Sequence, residues 1–256
     1  MRIAALYDIH GNWPALEAVL REIAAADVGR IVIGGDVVPG PMCSECLAAI
    51  ESVDIPVDCM RGNCESAMLQ QLRGSEPAGL PESACEAMRW VGRQLTQERI
   101  QWISGWPLSV TLRTEIGEVL FCHATPRDDN EIFTRLTPEA RLLPVFSGVD
   151  SAAAVVCGHT HMQFDRRIGH LRVVNAGSVG MSFGNTGAFW LLIDSDLHLR
   201  GTAYDLDNAA RRIRSTAYPQ AKEFAERSIL QPPSEDEMLK LYDKAQIGGA
   251  TPADAR

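Results

Sequence analysis

Five short polar motifs, each placed directly after a run of apolar residues, constrain this chain more than any other feature of its sequence. The motifs are rich in Asp, Asn, Gly and His, and they contain four of the chain's 6 histidines. Short apolar runs bounded by such residues are typical of buried β-strands. Each motif is therefore expected at the end of a strand. The five motifs are Tyr7–Asn12, Gly34–Asp36, Arg61–Asn63, Phe121–His123 and Cys157–His161.

The first part of the chain alternates between strand and helix patterns. Asn12, the last residue of the first motif, and Pro14 form a combination typical of a capped helix start, and apolar residues then recur at helical spacing. Residues 44–53 predict a second helix. The resulting β-α-β-α-β order predicts parallel strands joined by right-handed crossovers. The strand candidates are residues 2–7, 30–33 and 57–60.

The remainder of the chain contains a helical segment, a second β-rich segment and a helical end. Residues 65–106 show helical patterns without a strand candidate, and we interpret them as a helical cap inserted over the site. A short helix is predicted near residues 138–146, a helical extension over 205–247 and a frayed tail over 248–256. All 256 residues are expected to form one domain. The later strand candidates are residues 109–112, 118–122, 153–156, 166–168, 171–174, 188–193 and 198–204.

Composition restricts the partners of this chain. Lys and Arg number 24 against 33 Asp and Glu, and the net charge of −9 disfavours binding to long nucleic acid, which requires a basic surface. The apolar run at residues 188–193 is too short to cross a bilayer, so no membrane partner is expected. The chain begins with a strand pattern rather than an export signal, and its cysteines are irregularly spaced. We therefore expect a cytoplasmic protein with reduced thiols, including Cys43 and Cys46 in a helix.

The motifs predict one shared site, because open α/β sheets bind ligands beyond the carboxyl ends of their strands. Their imidazoles, carboxylates and amide suit Mn, Fe, Zn, Co or Ni better than Mg or Ca, which prefer oxygen ligands. Seven ligands are too many for one ion, but they divide well between two if Asp36 bridges them. The candidate metal ligands are Asp8, His10, Asp36, Asn63, His123, His159 and His161.

The motif order Asp-x-His, Gly-Gly-Asp, Gly-Asn, His and Gly-His-x-His resembles the calcineurin-like metallophosphoesterase family over residues 1–204. The stretch Asn175–Gly180, in which we expect Ser178 to serve a turn, is similar to one in the small prokaryotic phosphodiesterase-like branch. The resemblance implies a four-layer αββα sandwich of two mixed β-sheets with a dinuclear metal centre. It implies one ion held by Asp8, His10, Asp36 and His161, and a second held by Asp36, Asn63, His123 and His159.

The resemblance also implies a chemistry. The chain is expected to hydrolyse phosphoester or phosphoanhydride bonds of a small phosphorylated molecule, such as a dinucleoside polyphosphate. Two ions, with Mn the first choice, can share a hydroxide and offset the charge of the phosphoryl group. Arg61 and Asn12 are candidates for contacting phosphate. Arg61 could instead pair with a surface carboxylate, and Asn12 could serve only as a helix cap.

One position departs from the family pattern. The protein-phosphatase branch has a His directly after Gly-Asn that is thought to help protonate the leaving group, whereas this chain has Cys64 followed by Glu65. A thiol is a poor substitute for an imidazolium near neutral pH. We therefore expect phosphodiesters and phosphoanhydrides as substrates, because their leaving groups need less protonation. Glu65 and a metal-bound water are the next candidates for the proton donor.

Two other functions stay open from the sequence, as does the oligomeric state. A catalytically silent scaffold of the same fold would bind a partner protein, but such scaffolds typically lose metal-binding histidines, and this chain has all of them. A nuclease that acts on short nucleic acid is compatible with the acidic composition.

Overall fold

The computed structural model describes residues 1–149 and 151–247, which form ten strands in two five-stranded sheets. The predicted strands are all present, and most of their ends differ from the predictions by one or two residues. The strands are β1 (Ile3–Leu6), β2 (Arg30–Ile33), β3 (Val57–Cys59), β4 (Ser109–Thr114), β5 (Gly117–Cys122), β6 (Ala154–Cys157), β7 (Phe164–Ile168), β8 (Leu171–Asn175), β9 (Ala188–Ile193) and β10 (Leu197–Thr202).

Nine α-helices lie within the same described residues, and a π-helical segment over Ala225–Leu230 follows the eighth. None of them is both long enough and apolar enough to span a membrane. Cys43 and Cys46 are buried free thiols in the second helix, as predicted. The helices are α1 (Trp13–Ala25), α2 (Cys43–Glu51), α3 (Asn63–Leu72), α4 (Glu82–Gln94), α5 (Gln97–Ser104), α6 (Glu139–Phe146), α7 (Leu206–Arg214), α8 (Ala221–Phe224) and α9 (Glu235–Asp243).

The two sheets are mixed, which confirms the predicted fold class. Sheet A has the strand order β10-β9-β1-β2-β3, with β1, β2 and β3 parallel, as the β-α-β-α-β pattern predicts. Sheet B has the order β4-β5-β6-β8-β7, and β6 is parallel to both of its neighbours. The motifs that follow β1, β2, β3, β5 and β6 therefore leave the sheets at strand carboxyl ends, which positions them for one common site.

The apolar core between the sheets is closed around Tyr7, whose side chain is completely buried. Its hydroxyl donates a hydrogen bond of 2.9 Å to the carbonyl of Val156 and so joins the two sheets. The backbones of Gly34 and Gly158 approach the ring so closely that a Cβ atom at either position would lie within 2.0 or 2.5 Å of it. These two glycines allow the motif-bearing strands to pack against each other.

Helices cover the outer face of each sheet and complete the four layers. In α1, the apolar residues Leu16, Val19 and Ile23 recur at helical spacing and are buried in the core beside sheet A. On the other side, Leu142 and Phe146 of α6 pack with residues of sheet B. Burial of these faces is the main stabilising contribution, at about 25 cal/mol for each Å² of apolar surface removed from water.

The helical segment predicted over residues 65–106 consists of most of α3 together with α4 and α5. Its apolar residues Met68, Met88, Val91 and Ile103 are buried in the same core cluster as those of α1 and α2. The segment is therefore an integral part of the helical layer beside sheet A, since its removal would expose that core. Its role as a cap over the site stays a prediction.

The predicted extension over residues 205–247 contains α7, α8, the π-helical segment and α9. Helix α9 starts with a capping box, in which Ser234 accepts a hydrogen bond from the N–H of Glu237 and the carboxylate of Glu237 accepts one from the N–H of Ser234. The tail predicted to be frayed, residues 248–256, lies outside the described residues.

Candidate metal centre

The first half of the candidate site joins side chains from the first, second and last motifs. The Nε2 atom of His10 lies 3.3 Å from Nε2 of His161 and 3.7 Å from Oδ2 of Asp36. The Nε2 atom of His161 also lies 3.3 Å from Oδ1 of Asp8. All four side chains are almost fully buried. The structure therefore brings together the four residues assigned to one ion.

The second half of the site shares Asp36 with the first. Oδ2 of Asp36 lies 3.5 Å from Nε2 of His123, which in turn lies 3.0 Å from Oδ1 of Asn63. The ring of His159 is next to that of His123, with 5.2 Å between the ring centroids. Asp36 therefore faces both His10 and His123 and belongs to both halves of the candidate site.

The backbone at this site is held in an uncommon conformation. Five of the seven candidate ligands have positive φ angles, between 45° and 66°. Non-glycine residues seldom adopt this left-handed region, and each such residue costs about 1–3 kcal/mol, a strain that is typically found at functional sites. The five residues are Asp8, His10, Asp36, His159 and His161.

Backbone carbonyls orient two of the imidazoles. The Nδ1 atom of His123 lies 2.8 Å from the carbonyl oxygen of Gly34, and Nδ1 of His161 lies 2.7 Å from that of Met181. An N–H donated from Nδ1 to a carbonyl leaves Nε2 directed into the site, which is the usual arrangement of metal-binding histidines. Gly34 is the first residue of the second motif and Met181 follows the turn after β8, so the tertiary fold fixes both rings.

Asp8 and Asp36 each accept a backbone hydrogen bond with one carboxylate oxygen and direct the other oxygen into the site. Oδ2 of Asp8 accepts a hydrogen bond of 2.9 Å from the N–H of His159, and Oδ1 of Asp36 accepts one of 2.9 Å from the N–H of Cys64. The hydroxyl of Ser178 donates to the carbonyl of Asp8, at 2.7 Å, and accepts from the N–H of Met181. Ser178 thus has the turn role predicted for it.

Two polar atoms of the candidate metal ligands are buried without a hydrogen-bond partner among residues 1–149 and 151–247. They are Oδ1 of Asp8 and Nε2 of His159. An unsatisfied buried polar atom costs about 1–3 kcal/mol, so native proteins seldom leave one without a ligand. Cations that contact these atoms would remove this cost. Together with the mixed imidazole, carboxylate and amide set, these atoms fit divalent transition-metal ions.

The electrostatics of the site follow from burial and close opposite charges. Burial alone would raise the pKa of Asp36, but the charge and hydrogen bond of His123 hold it well below its usual range. Burial would lower the pKa of His123, yet the charges of Asp36 and Asp8 raise it to about 10. Burial, and then the neighbouring His123, lower the pKa of His159 to about 4, so this ring is a neutral ligand near pH 7.

Glu65 is a residue of the site whose role the sequence did not reveal. It is fully buried, and its carboxylate accepts hydrogen bonds of 2.7–3.1 Å from the N–H groups of Gly62, Asp36, Val37 and Val38. Burial, followed by the charge of Asp36, raises its pKa to about 7, whereas the four N–H donors favour the ionised form.

The structure disfavours Glu65 as a candidate proton donor, because both of its oxygens accept hydrogen bonds from backbone N–H groups. It instead holds the turn that carries Asp36 against the start of α3. One signal for this role was present in the sequence. Glu65 lies three residues after Gly62, which is the capping-box position of a helix start.

The structure favours the capping alternative for Asn12. Its Oδ1 accepts a hydrogen bond of 3.2 Å from the N–H of Ala15, and its Nδ2 donates to the carbonyl of Gly180 at 2.9 Å and to the hydroxyl of Tyr204 at 3.2 Å. The side chain is fully buried. With both atoms of the amide engaged inside the protein, Asn12 has no group left for a phosphate.

Arg61 shows the opposite arrangement. Its Nε atom is buried without a hydrogen-bond partner, and its side chain makes no salt bridge within the part of the chain that the structure describes. The residue directly precedes Gly62, whose backbone packs closely against the side chains of Asp36 and His123. An unpaired guanidinium beside a metal centre is suited to a phosphate, which it can bind through two parallel hydrogen bonds.

Cys64 occupies the position where the resemblance would place an imidazole. Its Sγ atom lies within 4.8 Å of ligand atoms of His10 and Asp36. Burial, and then the charge of Asp36, raise the pKa of its thiol well above the usual value. The thiol therefore stays protonated and is a weak acid, which favours substrates with good leaving groups.

Comparisons with known proteins agree with this fold. The chain matches the calcineurin-like phosphoesterase superfamily domain over residues 1–198. It is 26% identical over 239 residues to an uncharacterized protein of Methanocaldococcus jannaschii, which covers 85% of this chain and 94% of that protein. Its fold is similar to that of a hypothetical protein of Pyrococcus horikoshii OT3, with a TM-score of 0.77, 19% identity and coverage of 91% and 99% of the two chains. It is also similar to a metallophosphoesterase of Sphaerobacter thermophilus, with a TM-score of 0.69, 21% identity and coverage of 88% and 97%.

Proposed function

The chain belongs to the calcineurin-like phosphoesterase superfamily, and on that premise we propose that it hydrolyses phosphodiester or phosphoanhydride bonds of small molecules with two divalent transition-metal ions. It is a metallophosphoesterase, and the substrate class and the number of ions are the proposal. The observation that carries it is one cluster of seven side chains in which Asp36 faces both halves.

The residues divide between the two ions as the resemblance implies, with Mn the expected metal. When bound, two such ions activate a water molecule and offset the charge that develops on the phosphoryl oxygens. One ion would be held by Asp8, His10, Asp36 and His161, and the other by Asp36, Asn63, His123 and His159.

The remaining residues of the site support a preference for good leaving groups. Arg61 is free to orient a phosphoryl group, but Cys64 is a protonated thiol and Glu65 is occupied by backbone N–H groups. Without a strong general acid, hydrolysis of alkyl monoesters loses a contribution of about 10²–10⁴-fold. The leaving groups of phosphoanhydrides and aryl diesters depart more easily without a proton. A dinucleoside polyphosphate therefore suits the site better than a phosphoprotein.

Removal and return of the metal test this function. Protein treated with a chelator is expected to hydrolyse none of a panel of phosphomonoesters, phosphodiesters and dinucleoside polyphosphates. Added Mn²⁺ is expected to restore activity towards diesters and polyphosphates, and elemental analysis is expected to find two ions per chain. One ion per chain at full activity would contradict the dinuclear proposal, and activity that is insensitive to the chelator would contradict the function.

Substitution of Arg61 with Ala is expected to lower kcat/KM for a diester by about 10–100-fold, which corresponds to one charge-assisted hydrogen-bonded contact. Arg30→Ala is the matched control, because Arg30 pairs with Asp58 at 2.8 Å and is not part of the site. Steady-state kinetics on the two Mn-loaded variants measure the difference. Equal kcat/KM values for them would show that Arg61 does not contact the substrate.

A further inference from the structure

The imidazole of His161 has an aromatic neighbour that is not itself a candidate metal ligand. The ring of Phe183 lies nearly parallel to it, with 5.0 Å between the ring centroids and 18° between the planes, which is a favourable stacking geometry. Within residues 1–149 and 151–247, the other close ring contacts of the candidate ligands each join two ligands, His10 with His161 and His123 with His159. Phe183 therefore contributes a contact from outside the ligand set.

The backbone on both sides of Phe183 is anchored. Directly before it, the hydroxyl of Ser182 donates a hydrogen bond of 2.9 Å to the carbonyl of Asn185. Directly after it, the N–H of Gly184 donates one of 2.9 Å to the carbonyl of Pro233, in the segment that leads into α9. The ring of Phe183 therefore extends from a fixed stretch of backbone, which limits where it can lie.

The stacked ring complements the hydrogen bond that orients the same imidazole. Nδ1 of His161 lies 2.7 Å from the carbonyl oxygen of Met181. This contact holds one edge of the ring, but the χ2 torsion of a histidine is broad, so the ring can still tilt about that edge. A second ring that lies flat against the imidazole restricts the tilt. Met181 and Phe183 thus hold His161 in two different ways from one segment of the chain.

The two rings also border a cavity of about 210 Å³, which is lined in addition by Gln163, Phe189 and Glu235. Phe183 is partly buried, and His161 is 8% exposed. Truncation of Phe183 would therefore enlarge the cavity next to the imidazole and remove the packing contacts that restrain it. Phe189 offers a comparison within the same cavity, because it makes no ring contact with His161 among the residues that the structure describes.

We infer that Phe183 is a positioning residue, whose ring holds the imidazole of His161 in the orientation that lets Nε2 bind a metal ion. The inference rests on the proposed function, which supplies the ion. Nε2 of His161 lies 3.3 Å from both Oδ1 of Asp8 and Nε2 of His10, so a tilt of the ring alters the geometry of the whole first half of the site. The second half shares only Asp36 with it and is expected to be little affected.

Substitution of Phe183 with Leu removes the flat ring and keeps an apolar side chain. Outer partners of metal ligands typically contribute about 10–100-fold to metal affinity, and a stack without a hydrogen bond belongs at the low end of this range. Calorimetric titration of the metal-free, full-length protein with Mn²⁺ is therefore expected to show about tenfold weaker binding of one ion and unchanged binding of the other. Phe183→Tyr keeps the ring and is expected to bind both ions as the wild type does.

Phe189→Leu is the matched control, because it makes the same change in the same cavity without touching the stack. It is expected to leave both Mn²⁺ affinities unchanged. Unchanged affinities in Phe183→Leu, or an equal loss in Phe189→Leu or Phe183→Tyr, would overturn the inference. A lower melting temperature of metal-free Phe183→Leu than of the control would also overturn it, because it would show a structural role.

The same titration separates this inference from the proposed function. If the wild type binds Mn²⁺ but hydrolyses no phosphoester, the proposed function fails, and the affinities of Phe183→Leu still decide the inference. If the wild type binds a single ion, the dinuclear proposal fails, and weaker binding of that ion by Phe183→Leu still supports the inference. A wild-type protein that binds no divalent ion would overturn both.

Discussion

Replacement of Asp36 with Asn is expected to abolish turnover while the fold is retained. Oδ2 of Asp36 lies within 3.7 Å of His10 and 3.5 Å of His123, so it serves both halves of the metal centre. An amide in its place carries no charge and holds two cations poorly. Loss of a residue that merely orients a metal ligand lowers metal affinity or activity by about 10–100-fold. We expect loss of a bridging ligand to lower kcat by at least about 10³-fold.

The measurement compares kcat, ion content and circular dichroism of Asp36→Asn with those of Asp58→Asn. The Asp58→Asn substitution makes the same chemical change at a partly exposed position on β3, where Asp58 pairs with Arg30. Asp36→Asn is expected to bind fewer ions than the control and to keep its circular dichroism spectrum. Near-wild-type activity in a correctly folded Asp36→Asn protein would show that Asp36 is not the bridge.

Replacement of Glu65 with Ala is expected to lower the free energy of unfolding by at least about 4 kcal/mol. Its carboxylate accepts hydrogen bonds from four backbone N–H groups, and a buried donor left without a partner costs about 1–3 kcal/mol. The turn after β2 that carries Asp36 would lose its support together with the start of α3. The free energy of unfolding of a native protein is typically about 5–15 kcal/mol, so this one substitution removes much of the stability.

Glu237 provides a matched control for Glu65, because it occupies the same capping-box position at the start of α9 but is exposed. Loss of an exposed cap costs about 1 kcal/mol, so Glu237→Ala is expected to have a small effect. Urea-induced unfolding of the two variants, without added metal, measures the difference. Equal free-energy losses for them would show that the four N–H groups near Asp36 find other partners.

The sequence was sufficient to predict the fold because its signals are local. An apolar run followed by a polar motif marks both a strand and its carboxyl end, and the helices between β1, β2 and β3 fix the parallel order. The seven candidate ligands could be named for the same reason, since each stands directly after a strand that the run predicts. The structure then places these side chains together.

The remaining features depend on contacts between distant parts of the chain. Asn12 is engaged by Gly180 and Tyr204, which lie more than 160 residues further on, so its own neighbourhood could not distinguish a cap from a phosphate contact. Glu65 accepts a hydrogen bond from the backbone N–H of Asp36, and no local sequence pattern indicates that partner.

The order of strands in sheet A has a consequence for the synthesis of this protein. Strand β1 lies between β2 and β9, and residues 7–187 separate it from β9 along the chain. While the ribosome makes those residues, one edge of β1 has no neighbour, and an open strand edge is a template for pairing with another chain. Sheet A of the nascent chain is therefore completed only after β9 has been synthesised. A premature stop before β9 would release a fragment in which this edge of β1 stays open.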